Sequence, residues 1–223
     1  MQFGALIVAA GMSSRMGEFK PMLNIGSISI AQRIVATLRQ SGVTRIVMVT
    51  GHNAWELEHH LANNGLIFLR NEQYRTTQMF DSAKIGLEYL KDKCDGILFT
   101  PVDIPLFTAS TVSALMDCGA RLVCPVCEGR RGHPILIGTE LMDTILAYRG
   151  EGGLGGAIEH CGAEMTEIAV EDSGILHDAD TPEDYRALLS YHNRQLVRPI
   201  INVELAKEKV FFDRKIAMLL TLV

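Results

Sequence analysis

The chain alternates short apolar runs with stretches in which apolar residues return every three or four positions. Leu6-Ile7-Val8, Arg45 to Thr50, Leu66 to Leu69, Gly96 to Thr100, Arg121 to Val126, Ile135 to Ile137 and Met165 to Val170 are runs of strand length. Between them Ile30, Ile34 and Leu38 share a helical face that ends near Gly42, and Leu57 and Leu61 mark a helix from Ala54 to Asn64 closed by Gly65. Met79, Ala83, Leu87 and Leu90 line one face of a third helix. Val112, Leu115 and Met116 do so within Thr108 to Asp117, and Glu140 to Tyr148 reads as a fifth helix. A period near 3.6 marks a helix with one buried face, and a continuous apolar run suits a strand covered on both faces. Strands alternating with helices predict a three-layer α/β/α fold around a mostly parallel, mixed sheet.

Composition narrows the class. At 223 residues the chain has room for one large α/β domain, expected over 1–192, and a small appendage over 198–223. The formal net charge of −5 gives no global reason to bind nucleic acid or a membrane surface, so an anionic substrate must be held by local cations. No apolar run approaches the length of a membrane span, and Met1-Gln2-Phe3 leads directly into a strand without a charged n-region. A cytoplasmic protein is expected. The five cysteines agree: Cys124-Pro-Val-Cys127 has the form C-x-x-C, yet it follows a strand-like run and has no second pair of matching spacing. It reads as buried reduced thiols rather than a redox pair or half of a zinc site.

The chemistry begins where the first strand ends. Leu6-Ile7-Val8 runs into Ala9-Ala10-Gly11, then Ser13, Ser14, Arg15, Gly17 and Lys20. Residues without bulk let backbone N–H groups approach an anion, and Arg15 and Lys20 add a planar fork and a point charge suited to phosphate. A P-loop does not fit, because Gly17 is followed by Glu18-Phe19, and a dinucleotide fingerprint does not fit, because Gly11 is followed by Met12-Ser13-Ser14. A second feature stands at another strand end. Asp103 lies in Pro101-Val102-Asp103-Ile104-Pro105, where two prolines fix the chain around a carboxylate suited to Mg²⁺.

Ala9, Ala10, Gly11, Ser13, Arg15, Met16, Gly17 and Lys20 together resemble L-x-A-A-G-x-S-x-R-M-G-x-x-K, the signature of the MobA-like nucleotidyltransferases, among them enzymes that attach a nucleotide to molybdopterin. The resemblance covers residues 1 to about 190. It implies a nucleotide-diphospho-sugar transferase (GT-A-like) fold and nucleotidyl transfer from an NTP to a phosphorylated acceptor, with release of pyrophosphate. Residues from Ala9 to Lys20, Ser14 included, then bind the nucleotide, Arg15 facing the leaving pyrophosphate and Lys20 the α-phosphate. Pro101-Val102-Asp103-Ile104-Pro105 matches the family's P-x-D-x-P metal motif. Asn71, Tyr74, Met79, Ser82 and Gly86 can be laid on N-P-x-Y-x-x-G-M-x-x-S-L-x-x-G, which puts Asn71 and Ser82 near the nucleotide. The fit has one extra residue, Gln78 where a glycine is usual, and Ala83 for the leucine.

Gly132-His133-Pro134 resembles the family's acceptor-side G-H-P, with His133 as acceptor residue; Arg130 and Arg131 then add charge for its phosphate or form an exposed hairpin tip. Gly150 to Gly156 is glycine-rich, as an anion-facing or a merely flexible loop is. Asp178-Ala-Asp180-Thr-Pro-Glu-Asp184 resembles D-x-D-T-P-E-D, which brings a second carboxylate to the metal, Asp180 being preferred to Asp178. Thr181 to Asp184 also reads as a helix start. The likeness is MocA-like, which favours CTP over GTP and molybdopterin as acceptor. A sugar phosphate or other phosphorylated alcohol, or a nucleotide-sensing module without turnover, are the alternatives. Beyond Pro199, Phe211-Phe212 and Ala217-Met218-Leu219-Leu220 resemble the opening of a winged-helix module of molybdate-responsive regulators, with a C-terminal helix packed on the core as the equal alternative. Nucleic acid is expected as a partner only if such a module follows.

Overall fold

The computed structural model describes residues 1–196 and shows the α/β/α architecture. In chain order the elements are β1 (Phe3–Ala9), the hairpin of β2 (Asn24–Ile25) and β3 (Ile28–Ser29), α1 (Ile30–Gln40), β4 (Arg45–Thr50), α2 (Ala54–His60), β5 (Ile67–Arg70) and α3 (Met79–Leu90). There follow β6 (Gly96–Pro101), α4 (Ala109–Asp117), β7 (Leu122–Cys127), β8 (Arg130–Arg131), β9 (Ile135–Gly138), α5 (Met142–Ala147), α6 (Gly153–His160), β10 (Thr166–Ala169) and a helix α7 over 182–196. One eight-stranded sheet has the order β10-β7-β9-β6-β1-β4-β5, with β8 added to β7. β5, β4, β1 and β6 are parallel, and β9 runs against both β6 and β7, which makes the sheet mixed.

The pleat sorts side chains between two cores. Ala5, Ile7 and Ala9 of β1 pack with Ile34 and Leu38 of α1 and Val112 and Leu115 of α4. Leu6 and Val8 face the other way, against Ala83 and Leu87 of α3 and Ala157 of α6. Gly86 lets α3 lie directly on β1: a Cβ there would sit 2.2 Å from Leu6 Cδ1. The same alternation divides the C-x-x-C, since Cys124 belongs to one core and Cys127 to the other. Two thiols on opposite faces of a strand can neither pair nor share a metal, and all five cysteines are free.

Three expectations shift. Met79 is 52% exposed, and Phe80 takes its place on the buried face of α3, because the first turn of that helix opens onto a cleft. The helix expected over Glu140 to Tyr148 begins as a 3₁₀ turn, Thr139–Leu141, and ends at Ala147. The glycine-rich run is not a loop throughout: Gly153–His160 is helical, with Gly152 at φ 85 before it. Glycine disfavours helix locally, but burying Leu154 and Ala157 decides otherwise. Among the described residues no helix is long and apolar enough to cross a membrane. The expectations for Pro199 and for 200–223 lie outside the described residues.

Candidate functional site

β1, β4 and β6 run parallel, so their carboxyl ends lie along one edge and deliver Ala10 to Phe19, Gly51 to Asn53, and Val102-Asp103 to the same place. Backbone bonds fix the relation between these segments. The Val102 N–H donates to Val8 O (3.0 Å) and the Ala179 N–H to Asp103 O (3.0 Å), so Asp180 is held beside Asp103 although 77 positions separate them in sequence. Lys20, only 7% exposed, fills the gap. Its Nζ donates to Asp180 Oδ1 at 2.7 Å and to Asp103 Oδ2 at 3.4 Å, while Arg15 Nη2 meets Asp180 Oδ2 at 2.9 Å. Asp180, and not Asp178, makes these contacts.

The two carboxylates respond in opposite directions. Burial pushes Asp103 above the ordinary aspartate range, and the neighbouring Asp180 charge adds to this, with Lys20 opposing. The Lys20 hydrogen bond holds Asp180 below that range, assisted by the charges of Lys20 and Arg15. Asp178 is raised by burial and by Asp180. Two carboxylates that share one ammonium are close enough to share a divalent cation. Among the described residues no three His, Cys, Asp or Glu side chains form a metal cage. A pair of carboxylates fits a hard divalent cation that completes its shell with phosphate and water oxygens better than it fits a closed zinc site.

The loop after β1 is shaped by its serine and glycine. Ser13 adopts φ 52 and Gly17 φ 76. The amides of Met16 and Gly17 both donate to Ser13 O (3.0 and 3.3 Å), and the Lys20 N–H donates to Ser13 Oγ (3.3 Å). Gly17 thus serves the turn that presents Lys20, and its own N–H is not free for an anion. Ala9, Ala10, Gly11, Ser13, Lys20 and Asp103 line a cleft of about 180 Å³ together with Tyr74, Thr77, Gln78 and Ser82. Ser14 is exposed and does not line this cleft, and Arg15 reaches the site only through Asp180. Nor does Asn71 face the cleft. Buried to 5%, it donates to Thr77 Oγ1 and Ser82 Oγ, both at 2.9 Å, and accepts from the Gln73 N–H, tying its loop to α3.

A second cavity adjoins the first. Gln78, Met79, Phe99, His133, Gly152 and Leu154 are among its lining residues. His133 Nδ1 is buried there without a hydrogen-bond partner among the described residues. Burial lowers the imidazole pKa, so the ring is neutral at pH 7. Arg130 and Arg131 are exposed at a hairpin tip, and Arg131 is paired with Glu167 at 2.7 Å. His59 stacks on Trp55 in solvent, and His60 meets Ser29 Oγ.

Sequence reasoning did not single out Gly51 and His52. The His52 N–H donates to Ala10 O (3.2 Å), and its ring stands between Phe19 and Tyr74 at 5.8 and 5.9 Å. A Cβ on Gly51 would lie 2.7 Å from Ala10 O and from Tyr74 Cβ. A glycine at the exit of the strand beside β1 was the available signal.

Comparisons with known proteins show the family and the fold. A MobA-like NTP transferase domain model matches residues 5–165. Molybdenum cofactor cytidylyltransferase of Escherichia coli is 27% identical over 183 residues, covering 81% of this chain and 92% of that protein. Bifunctional protein GlmU of Staphylococcus haemolyticus is 30% identical over 119 residues, 52% of this chain, so the chain spans about a quarter (26%) of that relative's length. Among solved structures, a nucleotidyl transferase from Methanothermobacter thermautotroptrophicus superposes with a TM-score of 0.76 at 20% identity, over 87% of this chain and 99% of that one. The open loop after β1, with Lys20 set between Asp103 and Asp180, stands in a chain that belongs to the MobA-like NTP transferase family.

Proposed function

We propose that this nucleotidyltransferase moves a nucleoside monophosphate, CMP from CTP in preference to GMP from GTP, onto the phosphate of molybdopterin. The observation that carries the reading is Lys20, held between Asp103 and Asp180 at the mouth of an open, side-chain-poor loop. Such a site has little covalent chemistry to do; it positions phosphates and balances charge. An oxygen of the acceptor phosphate attacks the α-phosphorus, a new P–O–P link forms, and the bond to the β-phosphate breaks so that pyrophosphate leaves. Gly11 and Ser13, together with the exposed Ser14, cradle the triphosphate. Arg15 swings from Asp180 to the leaving pyrophosphate, and Lys20 donates to the α-phosphate oxygen where negative charge builds up. Ser82 lines the nucleoside side of the cleft and Asn71 holds it in place.

Asp103 and Asp180 are the residues that would hold Mg²⁺, which supplies Lewis-acid neutralisation of phosphate charge. His133 and the apolar wall of Phe80, Phe99, Leu154 and Ile158 receive the acceptor. A wall of this kind suits a flat heterocycle, whereas a sugar ring asks for many polar partners. Residues 1–192 form the transferase domain in this reading, and the five free thiols suit a reducing cytoplasm.

Pyrophosphate release from each NTP, with Mg²⁺ and with or without molybdopterin, tests the reading. Release is expected only with acceptor and fastest with CTP. Release with a sugar phosphate instead would keep the chemistry and replace the acceptor. Saturable NTP binding without release from any acceptor would replace the enzyme by a sensor.

A further inference from the structure

Among the described residues Gln78 and Met79 line both the nucleotide cleft and the cavity that holds His133. The two residues thus stand where the two spaces meet. Met79 is apolar, and much of the cavity beyond it is too: Phe80, Phe99, Leu154 and Ile158. The arginine on that wall, Arg131, is already paired with Glu167, and burial keeps His133 neutral. At the crossing, Gln78 is the polar side chain shared by both spaces. Its backbone is fixed by the cap of α3. The Gln78 N–H donates to Asp81 Oδ2 (2.9 Å), the Asp81 N–H donates back to Gln78 O (3.1 Å), and the residue caps α3 in an extended conformation while its side chain is exposed.

We propose that the Gln78 carboxamide is an acceptor-specificity residue, donating its N–H to the phosphate of a phosphate-monoester acceptor at the junction of the two cavities. This rests on the nucleotidyl-transfer reading and deepens it. A neutral donor suits the position. The attacking phosphate needs a directional hold, but a full cation there would stabilise its negative charge in the ground state and blunt the nucleophile. A carboxamide orients without that cost, and the cations of the site, Lys20 and Arg15, stay on the nucleotide side.

The test compares Gln78→Gly, Gln78→Asn and Gln78→Glu with the wild type in steady-state pyrophosphate release, alongside titration of NTP binding without acceptor. Glycine is tolerated before a helix, so Gln78→Gly is expected to fold. Its KM for the acceptor should rise about tenfold, the loss of one hydrogen bond to a charged group, with the NTP dissociation constant unchanged within about twofold. Gln78→Asn should recover part of the loss, and Gln78→Glu should exceed it by repelling the phosphate. An unchanged acceptor KM in Gln78→Gly, or an NTP affinity that falls in step with it, overturns the proposal. A wild type that transfers while Gln78→Gly is indifferent sinks the specificity role alone. A wild type that releases no pyrophosphate with any phosphorylated acceptor sinks the transfer reading and this inference with it.

Discussion

Asp180→Asn and Asp103→Asn differ from each other by position alone, yet they should move stability in different directions. Asp180 faces Lys20 at 2.7 Å and Arg15 at 2.9 Å, and Lys20 is nearly buried. The neutral amide leaves that ammonium with Asp103 alone, at 3.4 Å. Breaking a fully buried pair costs several kcal/mol; with the Asp180 side chain 27% exposed the loss reduces to about 1–2 kcal/mol. In a chain of this size that lowers Tm by about 3–6 °C. Asp103→Asn removes a charge that burial and Asp180 already disfavour, at the loss of a longer contact, so Tm should hold or rise by up to about 2 °C.

The pH dependence separates the two further. The folded-state pKa of Asp180 is depressed, so its contribution is present above the unfolded value of about 3.9 and is lost as pH falls through the folded value. The folded-state pKa of Asp103 is raised, so its ionisation opposes folding at neutral pH and that opposition fades on acidification. Thermal melts in EDTA, from pH 7 downward, should show the Asp180→Asn deficit closing below about pH 4. Equal Tm losses for the two variants at pH 7, or a deficit that persists in acid, would refute this account of the charges. Both variants should lose pyrophosphate release.

Other substitutions separate chemistry from scaffold. Lys20→Ala should lower kcat by about a hundredfold or more while the NTP dissociation constant changes far less, as rapid-quench and titration data would show; an equal fall in both argues for simple binding. Gly51→Ala should raise the KM for NTP several-fold and lower Tm by several degrees, because its Cβ would press on Ala10 O at 2.7 Å and the backbone there would have to shift. Asp172→Ala should cost about 2–3 kcal/mol in urea unfolding with KM values unchanged. Asp172 is 6% exposed and accepts from the Thr108 N–H, two threonine hydroxyls and the Gly174 N–H, away from the cleft.

Periodicity determined much of this protein from its sequence. The strand runs and the helical faces of Ile30-Ile34-Leu38 and Val112-Leu115 were legible because burial on a sheet or along a helix leaves a repeating apolar mark. The loop from Ala9 to Lys20 was legible because small residues followed by two cations form a local pattern. Local pattern failed where packing overruled it, as in the glycines of α6 and Met79, which its neighbours leave facing the cleft.

The opening loop alone indicated only a place for phosphate, and the sequence could propose Asp180 over Asp178 without showing why. Tertiary structure supplied the reason. The Ala179 N–H bond to Asp103 O sets Asp180 against Lys20, and no spacing rule reaches across so long a stretch of chain. Likewise only the folded chain put Gln78 where the two cavities meet, because that junction is made by α3, the loop after β1 and the turn before α6, which are distant in sequence. Residue types record which chemistry a chain carries; the convergence of strand ends in space decides which of those residues act on one another.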